Sequence, residues 1–255
     1  EGTINQLRST NIELERDIER KSKIDEMRKS FISDVSHELK TPIALIQGYS
    51  EGLLENVNTD EESRKFYAEV ILDEATKMDK MVRQLIELTK LEYENREFNN
   101  RNFNIVELEK EICRSSKVMI EEKGANVEFE TADVINVYAD DFYISQCITN
   151  YLTNAIKHVE EVDGEKTIKI TNTINNDKAR ITIFNTGKNI EEESRIWNRF
   201  FKVDESRNRE DGGSGIGLSI VRAIMNNYGN DFGVENKPNG VEFYFDIDLE
   251  RKDKN

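Results

Sequence analysis

His37 is one of two histidines in the chain, and a glutamate, Glu38, follows it directly. Thr41 comes four positions after His37, and Pro42, one of two prolines, comes next. Around them Ile32, Val35, Leu39, Ile43 and Ile46 recur every three or four residues, the spacing of one helical face. Residues four apart on a helix are surface neighbours. A nucleophilic imidazole, a carboxylate able to take its proton and a hydroxyl able to position water therefore share one patch. Pro42 cannot donate a helical hydrogen bond, and its ring crowds the carbonyl four residues back, at Glu38, so a bend is expected beside the reactive pair. A histidine beside a glutamate on a helix is most often only a solvated pair. Catalysis here requires a matching substrate site elsewhere in the chain.

Four patches in the C-terminal half could form that site. In Asn150-Tyr-Leu-Thr-Asn-Ala-Ile-Lys-His158, Asn150 and Asn154 lie four apart on one helical face, which Lys157 and His158 extend. Amide oxygens can ligate Mg2+, a hard cation that keeps water and shares phosphate oxygens. Lys157 offers a point charge to phosphate. The second patch, Asn185-Thr-Gly-Lys-Asn-Ile190, reads as a strand end entering a turn at Gly187. The third is Trp197-Asn-Arg-Phe-Phe-Lys202, and the fourth is Gly212-Gly-Ser-Gly-Ile-Gly-Leu218. The glycines of the fourth patch allow backbone amides to approach phosphate at the start of a helix whose dipole favours anions. It lacks the Lys-Ser/Thr ending of a P-loop, and no strand precedes it as in a dinucleotide fingerprint.

The string Ser36-His37-Glu38-Leu39-Lys40-Thr41-Pro42 resembles the phosphoacceptor box of sensor histidine kinases. The four later patches, in this order and spacing, resemble the N, G1, F and G2 boxes of the ATP-binding domain of those kinases. The resemblance covers about residues 20 to 249. It implies an α/β sandwich of the kind shared with gyrase, Hsp90 and MutL ATPases, with ATP and Mg2+ as cofactors. Asn150 and Asn154 would meet Mg2+ and phosphate, with Asn154 the metal contact, and Lys157 and His158 would touch phosphate or ribose. Asn185 and Gly187 would take the adenine side. Lys202 would reach toward the phosphates, and Gly213, Gly215, Gly217 and Leu218 would line them, with Val203 to Ser214 as a mobile lid. The implied reaction is ATP-dependent phosphorylation of His37, with Glu38 as general base, followed by transfer to an aspartate in the receiver domain of a response regulator of a two-component system. Thr41 would position water for dephosphorylating that regulator. In the family the second patch opens with an aspartate that accepts from the adenine amine. Asn185 can still accept, but a charged hydrogen bond is worth up to ~1–2 kcal/mol more than a neutral one. Asn189 replaces the second glycine of that box and tolerates turn geometry.

Two other readings use the same residues. A gyrase/Hsp90-like ATPase without phosphohistidine would share the nucleotide patches and need no His37 box. A catalytically silent dimeric scaffold is the reading that Asn185 motivates.

The elements that must position these groups divide by periodicity. Ile4, Leu7, Asn11, Leu14 and Ile18 form a heptad stripe, which Ile24, Met27 and Phe31 resume with a shifted phase. Residues 1–30 are therefore expected to be a coiled-coil signalling helix that pairs with a second copy, with Asn11 fixing register. The helix continues to about Glu55, and residues 56–62 turn, with Thr59 or Asp60 as cap. A second helix runs to about Asn95, its stripe marked by Ile71, Ala75, Met78, Val82, Leu85 and Leu88. Such an antiparallel hairpin, residues 31–95, leaves its stripes half exposed until two copies form a four-helix bundle. A homodimerisation and histidine phosphotransfer domain is expected there, then a polar linker at 96–102. Residues 103–249 alternate strand and helix signals: strands at 103–105, 127–130, 134–138, 167–173, 179–184, 232–235 and 241–248; helices at 106–123, 140–158, 191–201 and 216–228. The tail at 250–255 is charged and expected to fray. The expected fold class is α plus α/β.

Composition removes several function classes. The formal net charge is −15, the opposite of a nucleic-acid footprint, and it disfavours an anionic membrane surface. Cys113 and Cys147 lack metal-ligand spacing and read as reduced cysteines of a cytosolic protein. No run of eighteen apolar residues is present, so none of these segments spans a bilayer. The chain starts at Glu1 within a helical pattern. The expectation is the cytoplasmic portion of a cell-membrane protein, tethered through an N-terminal sensor part that the sequence does not include.

Overall fold

The computed structural model describes residues 2–57, 60–93, 97–201 and 214–250. The chain divides into two compact units, residues 1–80 and 81–255, and the division falls inside a helix.

The first unit holds α1 (Gly2–Leu54) and the start of α2 (Glu61–Tyr93). α1 runs without interruption past Pro42, which is buried. Of the two capping candidates, Asp60 does the work: its carboxylate accepts from the Ser63 backbone N–H at 2.7 Å, and this bond holds the Asp60 carboxyl below its ordinary range. Thr59 lies outside the described residues. The two helices meet beside the turn through Tyr49, whose ring stands edge-on to Tyr67 at 4.8 Å and to Phe66 at 6.2 Å. Gly52 permits this approach, because a Cβ there would come 2.6 Å from the Tyr67 ring. Ile32, Ile43, Leu45, Phe66 and Leu72 stay exposed. On the heptad stripe Leu14 and Ile18 are exposed as well, while the side chains of Ile4, Leu7, Ile24 and Met27 lie outside the described residues.

The predicted stripe of α2 needs two corrections, at Ala75, which is exposed, and at Val82. Val82 is exposed and Met81 is buried, followed by buried Leu85, Leu88 and Leu91. Leu85 and Leu88 are buried as predicted, and this end of α2 packs within the second unit, where Asn227 Nδ2 donates to Leu91 O at 2.8 Å.

The rest of the second unit is a helical layer on a sheet. β1 (Arg101–Asn104) pairs antiparallel with β3 (Asn136–Ala139). The larger sheet has the order β2-β4-β5-β7-β6, formed by β2 (Asn126–Glu130), β4 (Thr167–Asn175), β5 (Lys178–Thr186), β7 (Gly240–Asp248) and β6 (Phe232–Lys237). Only the β2–β4 pair is parallel. The helices are α3 (Ile105–Ser115), α4 (Lys117–Lys123), α5 (Asp141–His158) and α6 (Gly217–Tyr228). Asn104 caps α3 by accepting from Val106 N, and Asp140 caps α5 by accepting from Phe142 N. The core joins Ile144, Ile148 and Leu152 of α5 to Ile168, Ile181 and Phe245 of the sheet.

Two expected elements differ. The single helix over 106–123 is two helices, because Ser116 N–H bonds both Ile112 O and Cys113 O and resets the ladder there. The expected helix at 191–201 is a run of turns. Arg195 N–H reaches Glu192 O and Asn198 N–H reaches Arg195 O, and the path then diverts at Phe200, where φ is +61° and the N–H bonds Gly215 O. Trp197 anchors this segment edge-on against Phe232 at 4.9 Å.

Glu109 was not singled out by pattern, yet it is fully buried on α3. Its Oε2 accepts from Asn172 Nδ2 at 2.8 Å, while Glu109 Oε1 and Asn172 Oδ1 have no partner. Burial raises its pKa from 4.5 to about 7, against the opposing pull of Asn172 and Lys110. Below pH 4.5 folded and unfolded chains both hold the proton. Between 4.5 and 7 only the folded chain does, so stability falls as pH rises, and above 7 a penalty of about 3 kcal/mol is fully present. Glu109→Gln is expected to flatten this slope and to stabilise the chain by roughly 1–3 kcal/mol at pH 8. Urea unfolding measured across that pH window checks it, and an unchanged slope contradicts it.

Candidate functional site

His37, Glu38 and Thr41 lie on α1 in the first unit. His37 and Thr41 are exposed and Glu38 is half-buried. Directly before the histidine, Ser36 Oγ donates back one turn to Ile32 O at 2.7 Å, so this serine is occupied with its own helix. The imidazole therefore presents to solvent from a continuous helix.

In the second unit α5 presents Asn150, Asn154, Lys157 and His158 at its partly exposed face, with Tyr151, Leu152, Ala155 and Ile156 buried behind them. α6 begins against this face: a Cβ added at Gly217 would sit 2.8 Å from Asn150 Oδ1. The absence of a side chain at 217 is thus what lets the first and fourth sequence patches meet. Leu218 follows, half-buried, on the first turn of α6.

The second patch closes on the far end of α5. Gly187 has φ +148°, and a Cβ there would meet His158 O at 2.8 Å. Thr186 Oγ1 donates to Glu160 O at 2.7 Å and accepts from Thr167 N at 3.1 Å, which stitches the end of β5 to the segment after α5. Asn185 is buried at 3% exposure. Its amide nitrogen donates to Thr186 O at 3.1 Å and more weakly to His158 O at 3.5 Å, which leaves its oxygen as the end able to accept. Asn189, with its amide nitrogen turned to satisfy its surroundings, donates to Lys237 O at 3.0 Å and Gly240 O at 3.1 Å. The residue that stands in the place of a glycine is thereby tied to the β6–β7 turn.

The third and fourth patches meet as well. Gly215 has φ +69°, and a Cβ there would lie 2.7 Å from Phe200 Cα, so only glycine fits both the conformation and the space. Lys202 and Gly213 lie outside the described residues, as does nearly all of the expected lid.

Pattern reasoning missed a polar cluster on α2. Arg199 pairs with Glu92, both largely shielded from solvent. Ser214 Oγ donates to Gln84 Oε1 at 2.8 Å and also accepts from Ile216 N. Burial pulls the Arg222 guanidinium pKa down, and Glu92 opposes that. Arg199 stood inside a recognised patch, but nothing in its local sequence pointed to a carboxylate more than a hundred residues away.

Comparison with known proteins follows the same division. Residues 27–94 match the His Kinase A (phospho-acceptor) domain, and residues 139–251 match the histidine kinase-, DNA gyrase B-, and HSP90-like ATPase family. Sensor protein SrrB of Staphylococcus aureus (strain N315) is 30% identical over 224 residues, which is 87% of this chain and 38% of SrrB. The chain thus spans 38% of the length of that curated relative. The catalytic domain of histidine kinase ThkA is 32% identical with a TM-score of 0.52, over 60% of this chain and 97% of that one. ThkA solved in complex with the response regulator protein TrrA is 28% identical with a TM-score of 0.69, over 87% of this chain and 61% of that one.

The Asn185 geometry carries a direct expectation. Asn185→Asp would set a carboxylate oxygen against two backbone carbonyls in a buried place. The expected loss is about 1–3 kcal/mol of stability without nucleotide. Denaturant unfolding of the two proteins checks it, and equal stability contradicts the assigned amide orientation.

Proposed function

Because this chain belongs to the histidine kinase family, we propose that it catalyses ATP-dependent phosphorylation of His37 and passes the phosphoryl group to an aspartate of a response regulator. The observation that carries the proposal is an exposed imidazole, beside Glu38 and one turn from Thr41, in a chain whose other unit gathers four nucleotide-type patches around α5. Phosphoryl transfer asks for positioning and charge neutralisation more than for covalent chemistry from the protein.

Each residue then has a task. Asn185 offers its amide oxygen to the adenine amine, with its nitrogen held by backbone. Gly187, Gly215 and Gly217 keep the walls of the site free of side chains, while Lys157 and the N-terminus of α6 face phosphate. Lys202 and Gly213 join them in this reading. Among the described residues no group of three His, Cys, Asp or Glu could hold a metal. Mg2+ would be bound through Asn154, phosphate oxygens and water, where it would neutralise triphosphate charge. Glu38 takes the ring proton or polarises it as a nitrogen of His37 attacks the terminal phosphorus in line. The P–N bond forms as the bond to the bridging oxygen breaks, and ADP leaves. The receiver aspartate then attacks the same phosphorus and releases the imidazole. Thr41 positions water for the hydrolysis of the regulator's acyl phosphate.

The surrounding organisation belongs to the same proposal. Exposed Ile32, Ile43 and Leu72 support a homodimer in which two hairpins form a four-helix bundle. The division into a signalling helix at 1–30, a phosphoacceptor domain at 31–95, a linker at 96–102 and an ATP-binding domain at 103–249 rests on the sequence pattern. No described helix is long and apolar enough to cross a membrane. We place this chain on the cytoplasmic side of the cell membrane, tethered through a sensor part that the sequence does not include.

Incubation with γ-labelled ATP and Mg2+ is expected to give acid-labile, alkali-stable label on the chain and none on His37→Gln. Absence of label on the unaltered chain at millimolar Mg-ATP overturns the kinase reading. Label that persists on His37→Gln moves the acceptor elsewhere.

A further inference from the structure

β2 is the terminal strand of the five-stranded sheet and, among the described residues, pairs only with β4. Asn126 N–H donates to Lys166 O at 2.7 Å, so the peptide groups of Asn126, Glu128 and Glu130 face inward along the strand. By alternation those of Val127 and Phe129 face out from the sheet edge. The same two residues line a cavity of about 560 Å3 under α3 and α4, with Cys113 and Ile120. Phe129 is 37% exposed there. Three cations, Lys110, Arg114 and Lys117, stand on the helical rim, and the one rim carboxylate, Glu121, lies 3.6 Å from Lys117. A basic rim is conspicuous on a chain of net charge −15. The other face of the edge is acidic, with Glu128 and Glu130 beside Lys169. Burial pushes the Cys113 thiol up to about 11, so it is a neutral part of the cavity floor. None of these residues takes part in the nucleotide or histidine chemistry.

We propose that the edge of β2 docks an extended acidic peptide segment of a partner protein, which adds a strand to the sheet. Main-chain bonds would form at Val127 and Phe129. On the helical side the segment carries apolar residues into the cavity and carboxylates toward Lys110, Arg114 and Lys117. On the other side it carries neutral residues, because Glu128 and Glu130 disfavour further acid. An edge strand presents unpaired peptide groups that a second strand can complete, and charge complementarity selects the acidic partner.

The test uses the full chain and a fluorescent octapeptide, Val-Thr-Glu-Thr-Val-Thr-Glu-Thr, followed by anisotropy. Saturable binding is expected, at least tenfold weaker when lysine replaces both glutamates of the peptide. The double variant Lys110→Glu with Arg114→Glu, at exposed positions, is expected to reverse that preference. Val127→Pro removes an outward N–H at an edge position that tolerates proline. It is expected to weaken binding at least tenfold while its unfolding midpoint and its labelling by ATP stay unchanged. No saturable binding overturns the proposal, and so does equal affinity for the two peptides or indifference to the double variant. Binding that survives Val127→Pro in a folded protein also overturns it and assigns the cavity to a small apolar anion.

Discussion

One hydroxyl fixes the helix on which the second unit depends. Tyr151 lies fully buried on α5, and its Oη donates to Tyr244 O of β7 at 3.1 Å. Its ring also lies 5.2 Å from Phe243 and 5.9 Å from Phe245. A buried phenol must find an acceptor, so this bond is costly to lose. With the buried Ile144, Ile148 and Leu152 it holds the rotation of α5 about its own axis. Once that rotation is set, Asn150 and Asn154 face away from the core, and the core positions of the helix are filled by Ile148, Leu152 and Ala155. The packed face and the asparagine face are thus two sides of one cylinder, and neither can turn without the other.

The two asparagines that depart from the family pattern share a logic. Asn185 and Asn189 each bond backbone carbonyls of neighbouring segments. A charged carboxylate and a bare glycine, the residues expected at these places, would make neither set of bonds. The G1 patch of this chain therefore gains local rigidity where the pattern would give charge or freedom. Its cost is that the oxygen left to accept at residue 185 carries no charge.

Much of this was legible in the sequence because the signals are local. Helical spacing marked α1, α2, α5 and α6, and alternation marked β4, β5 and β7, since both patterns are written within a few turns or pleats. Gly187, Gly215 and Gly217 were legible too, and the close approaches of His158, Phe200 and Asn150 supply the reason each must be glycine. What stayed hidden depends on distant partners. The turns at 191–201 exist because Gly215 O claims the Phe200 N–H, a competition that helical propensity does not encode. The charge of Arg199 was visible, but its pairing with Glu92 was not. Glu109 stands on the apolar spacing of α3, between Ile105 and Ile112, but a carboxylate there does not announce its buried partner Asn172.

β5 is an inner strand, and the register of Asn185 is held from both sides, opposite Ile168 on β4 and Val241 on β7. In a strand, adding or deleting one residue sends every later side chain to the opposite face. Length in this stretch is therefore as constrained as identity, and substitutions can accumulate there while indels cannot. The tight turn at residues 176–177, at the far end of the same strand, is where the chain could change length without moving Asn185.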